Sequence, residues 1–226
     1  MDTLFKKSLK AYTSNAVLDD VEKNGEKALV PHNEQQYVTI VFQDLLSFTS
    51  TLEGLSAKEI NDSLNSYLET TTEIIHKHNG IIVQFIGDAV FSIFGYRGEP
   101  NHEENACLAA LDIVNNINSH KSFAALEKKL KVNVGVDTGS VYIGAFGSAE
   151  KLQFMVIGDH VNLASQLCNA NPRYKSKILI SDAVRKNLPN EFLLEKLDRV
   201  TVKGKIGDID IYSLGGVASG KSVGAH

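Results

Sequence analysis

Hydrophobic positions along this chain switch repeatedly between a strand-like and a helix-like period. Tyr37-Val38-Thr39-Ile40-Val41-Phe42 is an unbroken apolar, β-branched run that predicts one buried strand. It stops at Gln43-Asp44, and Leu45-Leu46-Ser47-Phe48-Thr49 reads as a turn. Ser56-Ala57-Lys58-Glu59 then carries the signature of a capping box. Behind it Ile60, Leu64, Tyr67, Leu68, Thr71, Ile74 and Ile75 form one helical stripe, ended by Asn79-Gly80. Ile81 to Ile86 and Ala89 to Phe94 read as two strands, joined by Gly87-Asp88 as a tight hairpin because Gly supplies the positive φ. A second helix is predicted from about Asn101, with Cys107, Ala110, Val114 and Ile117 inward.

Val132 to Phe146 reads as two strands around Asp137-Thr138-Gly139, and Gln153 to Ile157 as another. Gly158-Asp159 opens a helix from His160 that Asn171-Pro172 should end. Lys177 to Ile180 predicts a short strand, Asp182 to Leu188 a short helix, and Glu191 to Leu214 a closing pair of strands. Three units follow: a helical prefix over 1–36, a globular domain over 37–214 and a loose tail over 215–226. The prefix has helical spacing from Leu4 to Val21, a stop at Asn24-Gly25 and a break at Pro31; it is either a linker or a helix packed on the domain. The tail matches the phosphate-binding loop pattern at Gly215 to Ser222, but too few residues follow to form the helix such a loop needs.

Composition narrows the function classes. A hydrophobic share of 43% and a net charge of −4 fit a globular domain and argue against a nucleic-acid-binding surface. Cys107 and Cys168 both fall on apolar helix faces, so they read as buried thiols in a reducing, cytoplasmic setting and not as a disulfide framework. No apolar run reaches the ~20 residues of a membrane span.

The candidate chemistry begins with two carboxylates. Asp44 at a strand end and Asp88 at a hairpin tip face one spot if their strands are neighbours, and paired carboxylates repel unless a cation or proton lies between them. Hard oxygen ligands suit Mg²⁺ or Mn²⁺, which bind through one or two carboxylates plus substrate phosphates. The amides of Ser47, Phe48 and Thr49 are placed to receive such phosphates. His76 and His78 fall near a helix C-terminus and read as surface or capping residues.

These segments are also familiar. Phe42 to Thr49 and Phe85-Ile86-Gly87-Asp88-Ala89 resemble the two metal-binding motifs of the class III nucleotidyl cyclases. Gly135-Val136-Asp137-Thr138-Gly139, Val156 to Ser165 and Val202-Lys203-Gly204-Lys205 agree with that family in order, so the resemblance covers about 37–214. It implies an α+β fold: a ferredoxin-like βαββαβ core with an antiparallel-rich sheet, paired head to tail as a homodimer with composite sites, and a prefix that can join it to a sensor domain. It further implies that Asp44, Asp88 and the Leu45 carbonyl hold two Mg²⁺ or Mn²⁺ ions. The amides of Phe48 and Thr49 with Lys203 would meet the nucleoside triphosphate's β and γ phosphates, and Asn162 of the other subunit would orient the ribose.

Departures from the family pattern fall on the other half of the site. Gln84 stands where adenine-specific members carry Lys, and Met155 where they carry Asp or Thr. Gln166 replaces the Arg that stabilises the transferring phosphoryl, and Asn133 a phosphate-facing Arg of some members. The resemblance therefore implies a cyclase forming a 3′,5′-cyclic monophosphate and pyrophosphate, with ATP the lead substrate. UTP or CTP, as in the pyrimidine cyclases of bacterial antiphage signalling, is the alternative; so is a non-catalytic or half-site module working with a heterodimer partner.

Overall fold

The computed structural model describes residues 12–46, 48, 54–117, 131–148, 150–201 and 208–218. Helix α1 (Asn15–Asn24) and a 3₁₀ turn (Gly25–Leu29) lead into strand β1 (His32–Leu46). Helix α2 (Ala57–Lys77), the hairpin β2 (Gly80–Ile86) and β3 (Ala89–Phe94), helix α3 (His102–Ile117) and strand β4 (Lys131–Gly147) follow. The chain continues as β5 (Leu152–Ile157), α4 (Asp159–Tyr174), β6 (Ile178–Ser181), α5 (Asp182–Lys186), β7 (Phe192–Thr201) and β8 (Asp208–Val217).

All eight strands join one sheet, in the order β2-β3-β1-β4-β6-β8-β7, with β5 added to the far end of β4. The order 2-3-1-4 of the first four, with a helix after β1 and another after β3, is the ferredoxin-like βαββαβ core. Every pairing is antiparallel except β4 with β6. Both faces of β1 and β4 are covered, which is why these strands read as continuous apolar runs and not as alternation. Val41 and Leu45 pack under α2 and α3 with Tyr67, Ile75 and Ile113. Val38 and Ile40 face the other way, under Ala16 of α1 and Ala164 of α4.

Local chemistry explains the element ends. The Ser56 hydroxyl accepts from the Glu59 amide at 3.3 Å, and the Glu59 carboxylate accepts from the Ser56 amide at 2.8 Å. Gly87 has φ 66°, and it joins Ile86 to its partner Ala89 through a two-residue loop with Gly first, the arrangement a type II′ hairpin turn requires. Cys107, Ala110, Val114 and Ile117 are buried on α3. The prefix packs on the domain: Ala16 is fully buried, His32 pairs with Asp20 at 2.9 Å and Arg97 with Asp19 at 2.7 Å. Its helical spacing is interrupted at Ser14, whose extended backbone caps α1.

Five boundaries differ from the sequence expectation, the first being the start of β1 at His32, inside the 1–36 prefix, where residues 32–36 pair with β4. β1 runs on through Asp44 to Leu46, because Leu45 pairs with Val132 and fills the core. β4 is one 17-residue strand with no turn at Asp137-Thr138-Gly139, since both polar side chains find buried partners: Asp137 in Ser181 and His160, Thr138 in Thr39 and the Val38 carbonyl. α4 continues through Pro172 to Tyr174. β8 extends past Leu214 to Val217, paired with β7, while residues 219–222 of the loop-like motif lie outside the described residues.

Candidate active site

The hairpin between β2 and β3 brings Asp88 to Asp44. β3 pairs antiparallel with β1, with Val90 opposite Gln43, so the hairpin tip falls beside the C-terminal end of β1. Asp44 and Asp88 are in hydrogen-bonding contact, and both are half-buried. Burial pushes the Asp44 carboxyl up to about 6, and the Asp88 charge pushes the same way; the Leu45 amide, donating to it, opposes them. A carboxyl desolvated against another carboxyl favours a proton or a cation between them. No group of three or more His, Cys, Asp or Glu side chains able to hold a metal occurs among the described residues. A two-carboxylate site fits an Mg²⁺-type ion that takes its remaining oxygens from substrate phosphates and water.

The strand behind this pair is rigidly held. Gln43, fully buried, donates through Nε2 to the Tyr67 hydroxyl at 2.9 Å and the Thr71 hydroxyl at 3.1 Å, which ties β1 to α2 one residue from Asp44. Leu45 is buried among the core side chains, so its backbone is what remains available to a ligand. Phe48 is half-buried against the same core. Thr49 and Lys203 lie outside the described residues.

The remaining candidates sit elsewhere. Asn162 and Gln166 are exposed one turn apart on α4, whose buried face carries Leu163, Ala164, Leu167 and Cys168. Gln84 is exposed on β2 and Met155 is 37% exposed on β5, two strands that touch. Met155 stands opposite Gly144 on β4, and its neighbours Tyr142 and Ile157 are also exposed. Asn133 is buried in β4, directly opposite Asp44. Asn162 and Gln166 lie on the exposed face of α4, away from the buried face through which Cys168 meets Asn133 beside Asp44, and no hydrogen bond or ion pair joins them to the carboxylates among the described residues.

Two residue groups escaped sequence reading. One is the Gln43–Tyr67–Thr71 network, hidden because Tyr67 and Thr71 look like ordinary members of an apolar stripe. The other is Asp137 with His160 and Ser181; its signal was an acidic residue inside an otherwise unbroken valine-rich run. His76 is exposed and His78 is the C-cap of α2, as their positions suggested, and His78 also pairs with Asp112 at 2.8 Å, alongside Lys77 at 3.0 Å.

Comparison with known proteins adds three findings. Residues 30–216 match the family model described as the adenylate and guanylate cyclase catalytic domain. Adenylate cyclase 1 of Rhizobium meliloti is 32% identical over 186 residues, covering 81% of this chain and 28% of the relative. The chain spans well under half the length of such curated relatives. A bacterial light-regulated adenylyl cyclase superposes with a TM-score of 0.82 at 24% identity, covering 94% of this chain and 61% of that one. The guanylate cyclase domain of a Catenaria anguillulae protein, solved in complex with GTP, superposes with a TM-score of 0.71 at 28% identity, covering 81% of this chain and 99% of that domain.

Proposed function

Because the chain belongs to the adenylate and guanylate cyclase catalytic domain family, we propose that it converts a nucleoside triphosphate, ATP first, into a 3′,5′-cyclic monophosphate and pyrophosphate. The observation that carries this reading is the Asp44–Asp88 pair, two carboxyl groups in contact at the tip of a tight hairpin with no basic partner among the described residues. In the reaction the ribose 3′-hydroxyl gives its proton to solvent and its oxygen bonds to the α-phosphorus, the α–β phosphoanhydride bond breaks, and pyrophosphate leaves with that electron pair. Two divalent ions, Mg²⁺ or Mn²⁺, would acidify the 3′-hydroxyl and neutralise phosphate charge when bound. Asp44, Asp88 and the Leu45 carbonyl would hold these ions in place. The Phe48 and Thr49 amides and the Lys203 ammonium take the β and γ phosphates, Asn162 orients the ribose, and the Gln166 amide faces the transferring phosphoryl.

In this reading the site is shared by two copies, one giving the carboxylates and the other Asn162; the exposure of Asn162 on α4 supports it. The base rests on Gln84 and Met155, from strands that touch within one copy. Met155 is exposed and offers a thioether, a weak acceptor, where a base edge needs a strong partner. That observation favours a second reading, a UTP or CTP cyclase. Incubating the pure chain with ATP, GTP, UTP or CTP and Mn²⁺ tests both: cyclic AMP as the main product supports the first reading, a cyclic pyrimidine nucleotide the second. Absence of any cyclic product from all four would leave a nucleotide-binding partner module.

A further inference from the structure

Asp137 is fully buried in the middle of β4, and the reaction as drawn gives it no part. Its carboxylate nevertheless ties together three elements. One oxygen accepts from His160 Nδ1 at 2.7 Å, in the first turn of α4. The other accepts from the hydroxyl of Ser181, the last residue of β6. That same hydroxyl accepts from the Val184 amide and so caps α5. The imidazole lies directly over Gly139, where an added Cβ would come within 2.1 Å of Nε2. One turn along, an added Cβ at Gly135 would come within 2.1 Å of the Ala164 carbonyl oxygen, so α4 rests directly on the backbone of β4.

The N-cap of α4 is Gly158, which has no side chain to hold the first turn. His160 supplies the missing anchor from the opposite direction, through the strand beneath. At ~100° per residue, a His160 held down on the sheet turns Asn162 about 200° away, out of the packed face. The observed exposure of Asn162 and Gln166 agrees with this. A hydrogen bond is directional where an apolar contact is not, so this contact fixes rotation of the helix better than an apolar one.

We propose that Asp137 and His160 are a positioning pair, fixing the first turn of α4 and thereby the aim of Asn162 and Gln166. The inference rests on the reading above in which those two residues face the nucleotide. Its test therefore combines amide hydrogen exchange with steady-state kinetics on His160→Leu and His160→Asn. Leucine removes the donor, whereas asparagine carries an amide nitrogen at the δ position and can still reach Asp137. His160→Leu is expected to speed exchange at Asn162 to Gln166 by roughly tenfold. It should also lower kcat by about tenfold with KM within twofold, and His160→Asn should restore most of both. If His160→Leu leaves Asp137 uncompensated and does not fold, the Asp137→Asn/His160→Leu double variant removes the buried charge with its partner and is measured instead. Unchanged exchange in the first turn of α4 overturns the proposal, as does faster exchange with kcat unaltered. An inactive wild-type protein would overturn the cyclase reading alone, and the exchange data would still decide whether the pair anchors the helix.

Discussion

At the residue scale the chemistry turns on one carboxyl group that the fold makes uncomfortable. Asp44 has a folded-state pKa of about 6, above its ordinary 3.8, through burial and then Asp88. Ionised Asp44 therefore opposes folding: the penalty is absent below the ordinary carboxylate range, grows as pH rises through it, and is complete above about 6. Asp44→Asn should thus raise the melting temperature of the metal-free protein at pH 7.5 and leave it nearly unchanged at pH 4. A divalent cation relieves the same repulsion by another route. Mn²⁺ at about ten times its Kd should stabilise the wild type by ~1.4 kcal/mol, or about 3–6 °C for a domain of this size, and Asp44→Asn by much less. The same variant should lose more than about a hundredfold in turnover. Thermal melts in EDTA and in Mn²⁺ at both pH values check this, and an Asp44→Asn protein that still gains the full Mn²⁺ shift would remove Asp44 from the metal site.

At the element scale, α4 shows how side chains overrule local signals. Pro172 cannot donate to the Cys168 carbonyl, and the sequence reads as a helix end there. The Asn171 amide takes over, lying 3.1 Å from that carbonyl oxygen, 3.2 Å from Leu167's and 2.9 Å from Val134's on β4. The helix runs one turn further and closes on Lys175 in the left-handed conformation. Asn171→Ala should leave the Cys168 carbonyl without a donor in place of Pro172 and cost about 2 kcal/mol, read as a lower urea midpoint with an unchanged slope. Helices and strands with one clear period, such as α2, α3 and the β2–β3 hairpin, were legible because capping, stripe and turn chemistry agree within a few residues. The Asp44–Asp88 meeting was legible too, since a hairpin and an adjacent strand fix it. β4 was not: Asp137 and Thr138 look like turn residues until partners 44 and 100 residues away in sequence satisfy them. The length of α4 was missed for the same reason, because Asn171 acts through contacts that no local pattern displays.

At the scale of the whole molecule the chain presents its chemistry as two halves. Asp44 and Asp88 sit at one end of β1 and at the hairpin tip, while Asn162 and Gln166 look outward from α4. Phe85, Ile86, Tyr142, Met155 and Ile157 are each more than a third exposed, along β2, β4 and β5. Tyr142 and Ile157 are direct cross-strand neighbours, and Met155 lies two residues before Ile157 on β5, which contacts the β2 strand of Gln84. Apolar exposure of this kind is the expected footprint of a partner, and a two-fold pair of identical chains would offer each carboxylate pair the other chain's α4. Complementation tests this without any structural assumption beyond symmetry. Asp44→Ala and Asn162→Ala homodimers should each be inactive. Mixed in equal amounts and allowed to exchange subunits, they should recover about a quarter of wild-type activity, since half the dimers are hybrids and each hybrid keeps one intact site of two. The intact site takes Asp44 from the Asn162→Ala chain and Asn162 from the Asp44→Ala chain. If one chain held a complete site, no pairing of these two variants would restore turnover, and the mixture would stay as inactive as its parts.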